Sequence, residues 1–303
     1  MKILLIKSTI FLLLVLNGNG VIEANRFYVP FHLVANSNTT TIHVVYIMDT
    51  EDSQLEIILK NVNNTIQEEI IKIGQSLNAK IRKYYVSNQQ FNSNDCYNIL
   101  NDLPIAELKD IVFVCVVAHG ERASKNSEYP NIHFNSNDIR EYGSIMDLIL
   151  VKKPAYLLSI VNSCNNDPND LNLNPNPLVY TKIDNCRMEI GSYNKNAYAS
   201  LFEPNIYPIA ITFLSSQKGT STLINKEGGI PFISFMDAIK YWTSTAPASN
   251  PSWKNILYTA QAITICKTEN GSKPLQCPYA EIVKISIDRY GIEREGEGVL
   301  FCN

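Results

Sequence analysis

Short runs of β-branched and aromatic residues alternate along this chain with longer amphipathic stretches. The runs predict six strands, at residues 42–48, 81–86, 111–118, 155–161, 206–214 and 280–288. Apolar residues at helical spacing predict helices at residues 53–77, 95–103, 139–150, 231–242 and 253–262, the first of them capped by Asp52 or Ser53. Strands and helices that alternate in this way are typical of a mostly parallel sheet with helices on its faces.

The apolar content of the strands predicts where they lie in the sheet. Residues 111–118 and 155–161 are continuously apolar, as strands buried on both faces are, whereas residues 280–288 alternate and favour an edge position. The segment 165–196 is rich in Asn, Asp and Pro and has no apolar period, so it predicts a long flexible loop. Residues 25–303 are expected to form a single α/β domain.

The first 24 residues have the pattern of a secretory signal peptide. Lys2 and Lys7 precede the apolar run 10–16, and small residues follow up to Ala24. The alternative, an uncleaved membrane anchor, is disfavoured because the run falls short of the ~20 apolar residues that a span needs. We therefore expect the mature chain to be secreted, or to reside in the lumen of the secretory or lysosomal pathway, without stable membrane insertion. The sequons at Asn38, Asn63 and Asn270 are candidate glycosylation sites.

The charge of the chain argues against polyanionic partners. The formal net charge is −3, and no polybasic stretch is present. Such a chain lacks the basic field that phosphates or an anionic membrane surface require. Nucleic acid is therefore not an expected partner.

The seven cysteines leave at least one unpaired thiol. If six pair, in any of 15 ways, Cys164 is the natural free one. Cys115 is the alternative, because it lies inside an apolar strand and fits a buried thiol. Cys266 and Cys277 bracket a turn-rich stretch and are the first candidate disulfide.

The two most apolar strands end in reactive residues. The first runs into His119 and Gly120, and the second into Cys164, about 45 residues later. Adjacent parallel strands would bring His119 and Cys164 to the carboxyl edge of the sheet, where open α/β sheets bind ligands. A thiol beside an imidazole is the arrangement that nucleophilic catalysis by cysteine requires.

An apolar strand that ends in His-Gly, followed by an apolar strand that ends in Cys, resembles the caspase-like superfamily of cysteine peptidases, which includes caspases, metacaspases and legumains. The segments 214–221 and 228–233 are similar to the strand end and helix entry near the substrate in these enzymes. The resemblance covers roughly residues 40–290. It implies a caspase-like, flavodoxin-like α/β fold with a six-stranded, mostly parallel sheet.

The resemblance also implies roles for individual residues. Cys164 would attack the scissile carbonyl to form an acyl-enzyme, and His119 would protonate the leaving amine. The backbone N–H groups of Gly120 and Cys164 would form the oxyanion hole. The substrate would be a protein or peptide, and neither a metal nor an organic cofactor is implied.

Several positions depart from the family's motifs. The nucleophile stands in Asn162-Ser163-Cys164-Asn165-Asn166, without the Gly that caspases have two residues after the Cys. Candidate substrate-binding residues are Asp49, Asn162, Ser215 and Ser216. No Arg lies in the loop after the first strand, so cleavage after Asp is not expected, and a basic or Asn P1 residue is the alternative.

The prediction is therefore a secreted cysteine endopeptidase, a thiol protease that uses a Cys–His dyad. Two other functions remain open at this stage. One is an inactive caspase-like domain that serves as a secreted binding module. The other is a legumain- or transamidase-like peptide ligase, which resolves the same acyl-enzyme with an amine.

Overall fold

The structure is a computed structural model. It describes residues 39–53, 55–122, 127, 129–135, 137–165, 186, 188–216, 222, 224–225, 228–270, 273–274, 278–288 and 291–298. The predicted signal peptide and Asn38 lie outside these residues. None of the helices in the described ranges is both long and apolar enough to cross a membrane.

A mixed seven-stranded sheet organises the molecule. Its strands, in chain order, are β1 (Thr41–Met48), β2 (Lys80–Ser87), β3 (Ile111–Val117), β7 (Tyr156–Asn162), β8 (Ile209–Leu214), β13 (Tyr279–Asp288) and β14 (Gly291–Gly298). Their spatial order is β14-β13-β8-β7-β3-β1-β2. The five strands from β8 to β2 are parallel, and β13 and β14 are antiparallel to their neighbours. This arrangement is compatible with a flavodoxin-like fold.

Short strands complete the β structure. β4 (Gly120–Arg122), β5 (Pro130–Asn135) and β6 (Asp138–Glu141) form a separate antiparallel sheet directly after β3. Two pairs of two-residue strands follow later in the chain, β9 (Ile224–Asn225) with β10 (Gly228–Gly229) and β11 (Glu269–Asn270) with β12 (Lys273–Pro274).

Six helices cover the two faces of the large sheet. They are α1 (Glu56–Leu77), α2 (Ser93–Asp102), α3 (Tyr142–Leu150), α4 (Lys195–Ser200), α5 (Ile230–Trp242) and α6 (Trp253–Thr268). Helices α1, α4, α5 and α6 contribute to the apolar core on one face, which includes Phe113 and Leu158. Helices α2 and α3 contribute to the core on the other face, which includes Val114 and Leu157. Side chains alternate between faces along a strand, so both faces of β3 and β7 are buried.

The sheet differs from the predicted one in the number of strands and in its edge. It has seven strands, because β14 pairs with β13 along its whole length. The sequence of β14, Gly-Ile-Glu-Arg-Glu-Gly-Glu-Gly, has almost no apolar residues and therefore gave no strand pattern. The prediction of β13 as the edge strand is wrong for this reason.

The predicted flexible loop 165–196 ends in ordered backbone. Gly191 N–H donates to Ser244 Oγ at 3.1 Å, and Asn194 N–H donates to the Thr243 carbonyl oxygen at 3.1 Å. Asn194 then caps α4 by accepting from Ala197 N–H. Residues 166–185 and 187 lie outside the described ranges. Backbone N–H groups thus anchor the end of the predicted loop to residues 243–244, and the flexibility of the loop stays a prediction.

The disulfide prediction is wrong. Cys266 is bonded to Cys186, so it is not available to Cys277, which lies outside the described residues. The short sequence separation between Cys266 and Cys277 favoured that pair. The fold instead brings Cys186, which precedes α4, against the C-terminal end of α6. Cys96 and Cys115 are buried free thiols, which agrees with the alternative considered for Cys115.

Two of the candidate glycosylation sites fall in the described ranges. Asn63 lies on α1 and is exposed, with its side-chain oxygen accepting from Gln67 Nε2 at 2.5 Å. Asn270 lies in β11.

Candidate active site

The parallel register carries the predicted nucleophile and its histidine to the same edge of the sheet. In the β3–β7 ladder, Val117 lies opposite Asn162. The ladder continues beyond the strands, since Ala118 N–H donates to the Asn162 carbonyl oxygen at 3.3 Å. His119 and Cys164 each follow the last pair by two residues. The same advance along two neighbouring strands places both at the carboxyl edge of the sheet.

Gly120 fits tightly against the segment that carries Cys164. A Cβ atom at position 120 would lie 2.0 Å from Ser163 Oγ, 2.4 Å from the Asn131 carbonyl oxygen and 3.1 Å from the Cys164 carbonyl oxygen. The Asn131 carbonyl oxygen belongs to the rigid backbone of β5 and would be at a forbidden distance, and the Cys164 carbonyl oxygen would be in tight contact. Any side chain at position 120 would therefore displace β4 from β5, so glycine is required there.

The amide of Gly120 points away from its partner strand. His133 N–H donates to the His119 carbonyl oxygen at 3.0 Å, so this opposed pair is a hydrogen-bonded one. Hydrogen-bonded and non-bonded pairs alternate in an antiparallel ladder. The next pair, Gly120 and Ile132, is therefore non-bonded, and the Gly120 N–H is directed outward from the edge of the small sheet.

Asp52 holds the imidazole of His119. Nε2 of His119 lies 2.7 Å from Asp52 Oδ2. A carboxylate only accepts hydrogen bonds, so in the neutral imidazole Nε2 carries the proton and Nδ1 keeps its lone pair. The side chain of His119 is 46% exposed and that of Asp52 is 24% exposed. The contact therefore sets the tautomer at a site that substrate can reach.

Cys164 differs from the other free cysteines of the described chain. Cys96 and Cys115 are fully buried, whereas Cys164 is partly exposed. Burial raises the pKa of the Cys96 thiol to about 12, and it also raises the pKa of the Cys115 thiol. Thiolates are the reactive form of cysteine, so these two thiols are inert at neutral pH. Cys164 is the accessible thiol among the three.

Neither the scan against protein-family models nor the search of curated proteins found a match. Within the described residues, no group of three or more His, Cys, Asp or Glu side chains is arranged to hold a metal ion.

The candidate substrate-binding residues are placed around the same edge, with different exposure. Asp49 is partly buried, and its N–H donates to the Val117 carbonyl oxygen at 3.0 Å. Asn162 is 3% exposed, and its side-chain amide has no hydrogen-bond partner among the described residues. Its Oδ1 would be 2.9 Å from a Cβ at Gly229, the N-cap residue of α5.

Ser215 and Ser216 are buried and face the backbone of Ser163. Ser216 Oγ donates to the Ser163 carbonyl oxygen at 2.7 Å, and Ser163 N–H donates to Ser215 Oγ at 3.2 Å. Thr222 joins them, with Oγ1 at 2.8 Å from the same carbonyl oxygen.

Sequence reasoning missed Thr222 and the role of Asp52. Asp52 had been considered as a helix cap, yet α1 begins at Glu56, and Leu55, its N-cap residue, makes no side-chain cap bond. The only indication that Asp52 could reach the histidine was its position four residues beyond the end of β1, on the edge shared with His119. Thr222 lies in a Ser- and Thr-rich segment, and nothing in that composition distinguishes it from its neighbours.

Proposed function

We propose that this protein is a cysteine endopeptidase of the caspase-like superfamily, with Cys164 as nucleophile and His119 as its acid/base partner. The observation that supports this most directly is the β3–β7 register, because it carries His119 and Cys164 to one edge. The partly exposed thiol of Cys164 and the orienting contact from Asp52 to His119 support the same function.

The reaction is an acyl transfer in two halves. Nδ1 of His119 accepts the proton of Cys164, and Sγ attacks the scissile carbonyl carbon. The C–N bond of the peptide then breaks as His119 gives its proton to the leaving amine. In the second half, water attacks the thioester with His119 as base. The C–S bond breaks, and the thiol and a carboxylic acid are released.

The negative charge that develops on the carbonyl oxygen needs hydrogen-bond donors. The outward N–H of Gly120 and the N–H of Cys164 are the candidates, because the two backbones meet at this point. Preorganised donors of this kind contribute about 3–4 kcal/mol each to transition-state stabilisation.

Asp52 acts as a positioning residue for His119. Its carboxylate keeps the proton on Nε2 and stabilises the imidazolium that forms when Nδ1 takes the thiol proton. This is the role that the third member of a catalytic triad plays on unrelated folds.

We further propose that the enzyme acts on proteins or peptides after secretion or within the secretory or lysosomal lumen. The disulfide between Cys186 and Cys266 supports an oxidising compartment.

The residues at the site disfavour an acidic P1 side chain. The described loop that follows β1 carries Asp49, Glu51 and Asp52 and has no cation. A carboxylate entering this region would meet like charge, which costs affinity. We therefore expect substrates with Lys, Arg or Asn at P1 to be cleaved in preference to those with Asp. A strong preference for Asp in a P1 scan would contradict this.

The test is active-site labelling of the purified mature protein with peptidyl acyloxymethyl ketones that differ at P1. Digestion and mass spectrometry of the labelled protein are expected to locate the adduct on Cys164. The Cys164→Ala variant should carry no adduct. His119→Gln should remove labelling as well, because it removes the base. His133→Gln is the matched control, since it keeps the backbone N–H through which His133 bonds to His119. This control should label like the wild type.

The outcomes separate the alternatives. Labelling at Cys164 that depends on His119 supports the peptidase, and an added amine that appears in the product would indicate ligation in place of hydrolysis. Absence of labelling across the panel, under reducing conditions and over a range of pH, would overturn the proposed activity. The inactive binding module would then be the remaining function.

A further inference from the structure

The carbonyl oxygen of Ser163, the residue before the nucleophile, is surrounded by hydroxyl groups. Ser216 Oγ lies 2.7 Å from it, Thr222 Oγ1 2.8 Å and Ser215 Oγ 3.3 Å. All three side chains are at most 7% exposed. We call Ser215, Ser216 and Thr222 the hydroxyl cluster.

The hydrogen bonds of the hydroxyl cluster form a closed circuit that joins the backbone N–H and the carbonyl oxygen of Ser163. Ser163 N–H donates to Ser215 Oγ at 3.2 Å, and Ser215 Oγ lies 2.6 Å from Thr222 Oγ1. A carbonyl oxygen has two lone pairs, and each hydroxyl has one proton. Ser216 and Thr222 fill the two lone pairs of the Ser163 oxygen, and the proton of Ser215 goes to Thr222. Such chains of hydrogen bonds strengthen one another.

This circuit fixes the direction of the Cys164 amide. The Ser163 carbonyl and the Cys164 N–H belong to the same peptide unit, which is planar and trans, since the described chain has no cis peptide bond. The two groups therefore point in opposite directions. With the carbonyl held by the hydroxyl cluster, the N–H points away from it, and it cannot rotate without breaking buried hydrogen bonds.

We propose that the hydroxyl cluster is a positioning device that aims the N–H of Cys164 as an oxyanion donor. The proposal rests on the function proposed above. Ser215 and Ser216, which the sequence suggested as substrate contacts, then act through the backbone of Ser163. Because donors must be in place before charge develops, the effect belongs to the transition state and should appear in kcat.

The experiment compares substitutions that remove a hydroxyl with substitutions that keep it. Thr222→Val and Ser216→Ala each free one lone pair of the Ser163 oxygen, whereas Thr222→Ser preserves the bond. The readouts are kcat and KM on a fluorogenic peptide chosen from the P1 scan, and the rate at which iodoacetamide alkylates Cys164. Alkylation uses the same thiol but develops no oxyanion, so it reports the nucleophile alone.

We expect Thr222→Val and Ser216→Ala to lower kcat by about 10- to 100-fold, which is less than complete removal of a donor. The KM and the alkylation rate should stay within about twofold of the wild type, and Thr222→Ser should restore kcat. Ser234→Ala and Thr264→Val are matched controls. They remove equally buried hydroxyls that bond to carbonyls of their own helices and not to Ser163. Both controls should keep the wild-type kcat.

The results distinguish failure of this inference from failure of the proposed function. If the wild type turns over substrate and Thr222→Val and Ser216→Ala keep its kcat, the positioning role is wrong. A fall in the alkylation rate that parallels the fall in kcat would also overturn it, because the defect would then lie in the thiol. A wild-type protein that neither cleaves peptides nor reacts with the ketones overturns the peptidase and this inference together.

Discussion

At the scale of single residues, the hydrogen-bond partner of an ionisable side chain decides the role of that side chain. Asp52 stands where a helix cap is expected, but its carboxylate bonds to His119 and leaves α1 without a side-chain cap. Gly120 has no room for a side chain, because a Cβ there would lie 2.0 Å from Ser163 Oγ and 2.4 Å from the Asn131 carbonyl oxygen. These contacts join residues from different strands, and they define the candidate site more narrowly than any single residue type does.

Asp52→Asn tests the orienting contact. An amide can donate to Nε2 and so favour the wrong tautomer, and it carries no charge to stabilise the imidazolium. We expect kcat/KM to fall by about 10- to 100-fold. This is less than the ~10⁴-fold seen when the buried Asp of a serine protease triad is changed, because the contact here is partly exposed.

The control for Asp52→Asn is Glu51→Gln, which removes a neighbouring exposed acid. It should change kcat/KM by less than twofold. Equal losses in the two variants would show that the general negative charge of the loop matters, and not the bond to His119.

At the scale of elements, polar groups anchor the ends of helices and strands. The C-terminal end of α2 is held by Lys152, whose Nζ donates to the carbonyl oxygens of Leu100, Asn101 and Leu103 at 2.6–2.9 Å. The carbonyl oxygens at the end of a helix lack the regular intrahelical bond, and the helix dipole favours a cation beside them. At the other end of the sheet from Cys164, Asp110, which directly precedes β3, accepts a hydrogen bond from the N–H of Thr41, the first residue of β1.

Lys152→Met should destabilise the fold through α2. The Met side chain keeps much of the apolar stem but loses the bonds to three carbonyls, so the free energy of unfolding should fall by about 1–2 kcal/mol. Urea denaturation measures this directly. Lys153→Met is the control, because the side chain of Lys153 forms a solvent-exposed ion pair with Glu107, and it should change stability by less than about 0.5 kcal/mol.

Asp110 is the centre of a buried network. Its carboxylate accepts from Thr41 N–H and Ala106 N–H, each at 2.9 Å, and contacts His43 Nε2 at 3.2 Å. Burial by itself raises the pKa of Asp110. The hydrogen bonds from His43, Ala106 and Thr41 outweigh burial and hold the pKa below its ordinary value.

This lowered pKa predicts how stability depends on pH. Because the folded state binds the proton of Asp110 more weakly than the unfolded state, its contribution is complete above about pH 4 and is lost as the pH falls toward the folded pKa. We expect Asp110→Asn to cost about 1–3 kcal/mol at pH 6. The difference between wild type and variant, measured by denaturation at several pH values, should shrink below about pH 4. A difference that stays constant down to pH 2 would contradict the prediction.

At the scale of the whole molecule, the disulfide between Cys186 and Cys266 closes a long loop of chain. The two cysteines are 80 residues apart in sequence, and the loop contains α4, β8, α5 and most of α6. Closing so long a loop restricts the unfolded chain, which stabilises the folded state.

Removing this bond should lower stability without removing the site. We expect the double variant Cys186→Ala/Cys266→Ala to unfold with a free energy roughly 2–4.5 kcal/mol below that of the oxidised wild type. Reduced wild type should show a similar loss by urea denaturation. Both samples should still react at Cys164 under folding conditions. An unchanged midpoint after reduction would argue that the bond does not stabilise the fold.

Hydrophobic pattern alone predicted the parallel part of the sheet. The residues of β1, β2, β3 and β7 are apolar enough for each strand to be placed within about two residues, and the predicted adjacency of β3 and β7 is confirmed. The pattern failed for β14 and for the small sheet of β4 to β6. These strands are short or polar, and pairing with a neighbour stabilises them more than burial does.

The sequence by itself determined that an α/β sheet would form and that His119 and Cys164 would follow two neighbouring buried strands. Burial of apolar runs is a local property of the chain, and the carboxyl ends of parallel strands necessarily share an edge. Only the tertiary structure decided that Asp52 reaches His119, that Ser215, Ser216 and Thr222 converge on Ser163, and that Cys186 pairs with Cys266. These are directional contacts between distant segments, and their geometry depends on how whole elements pack.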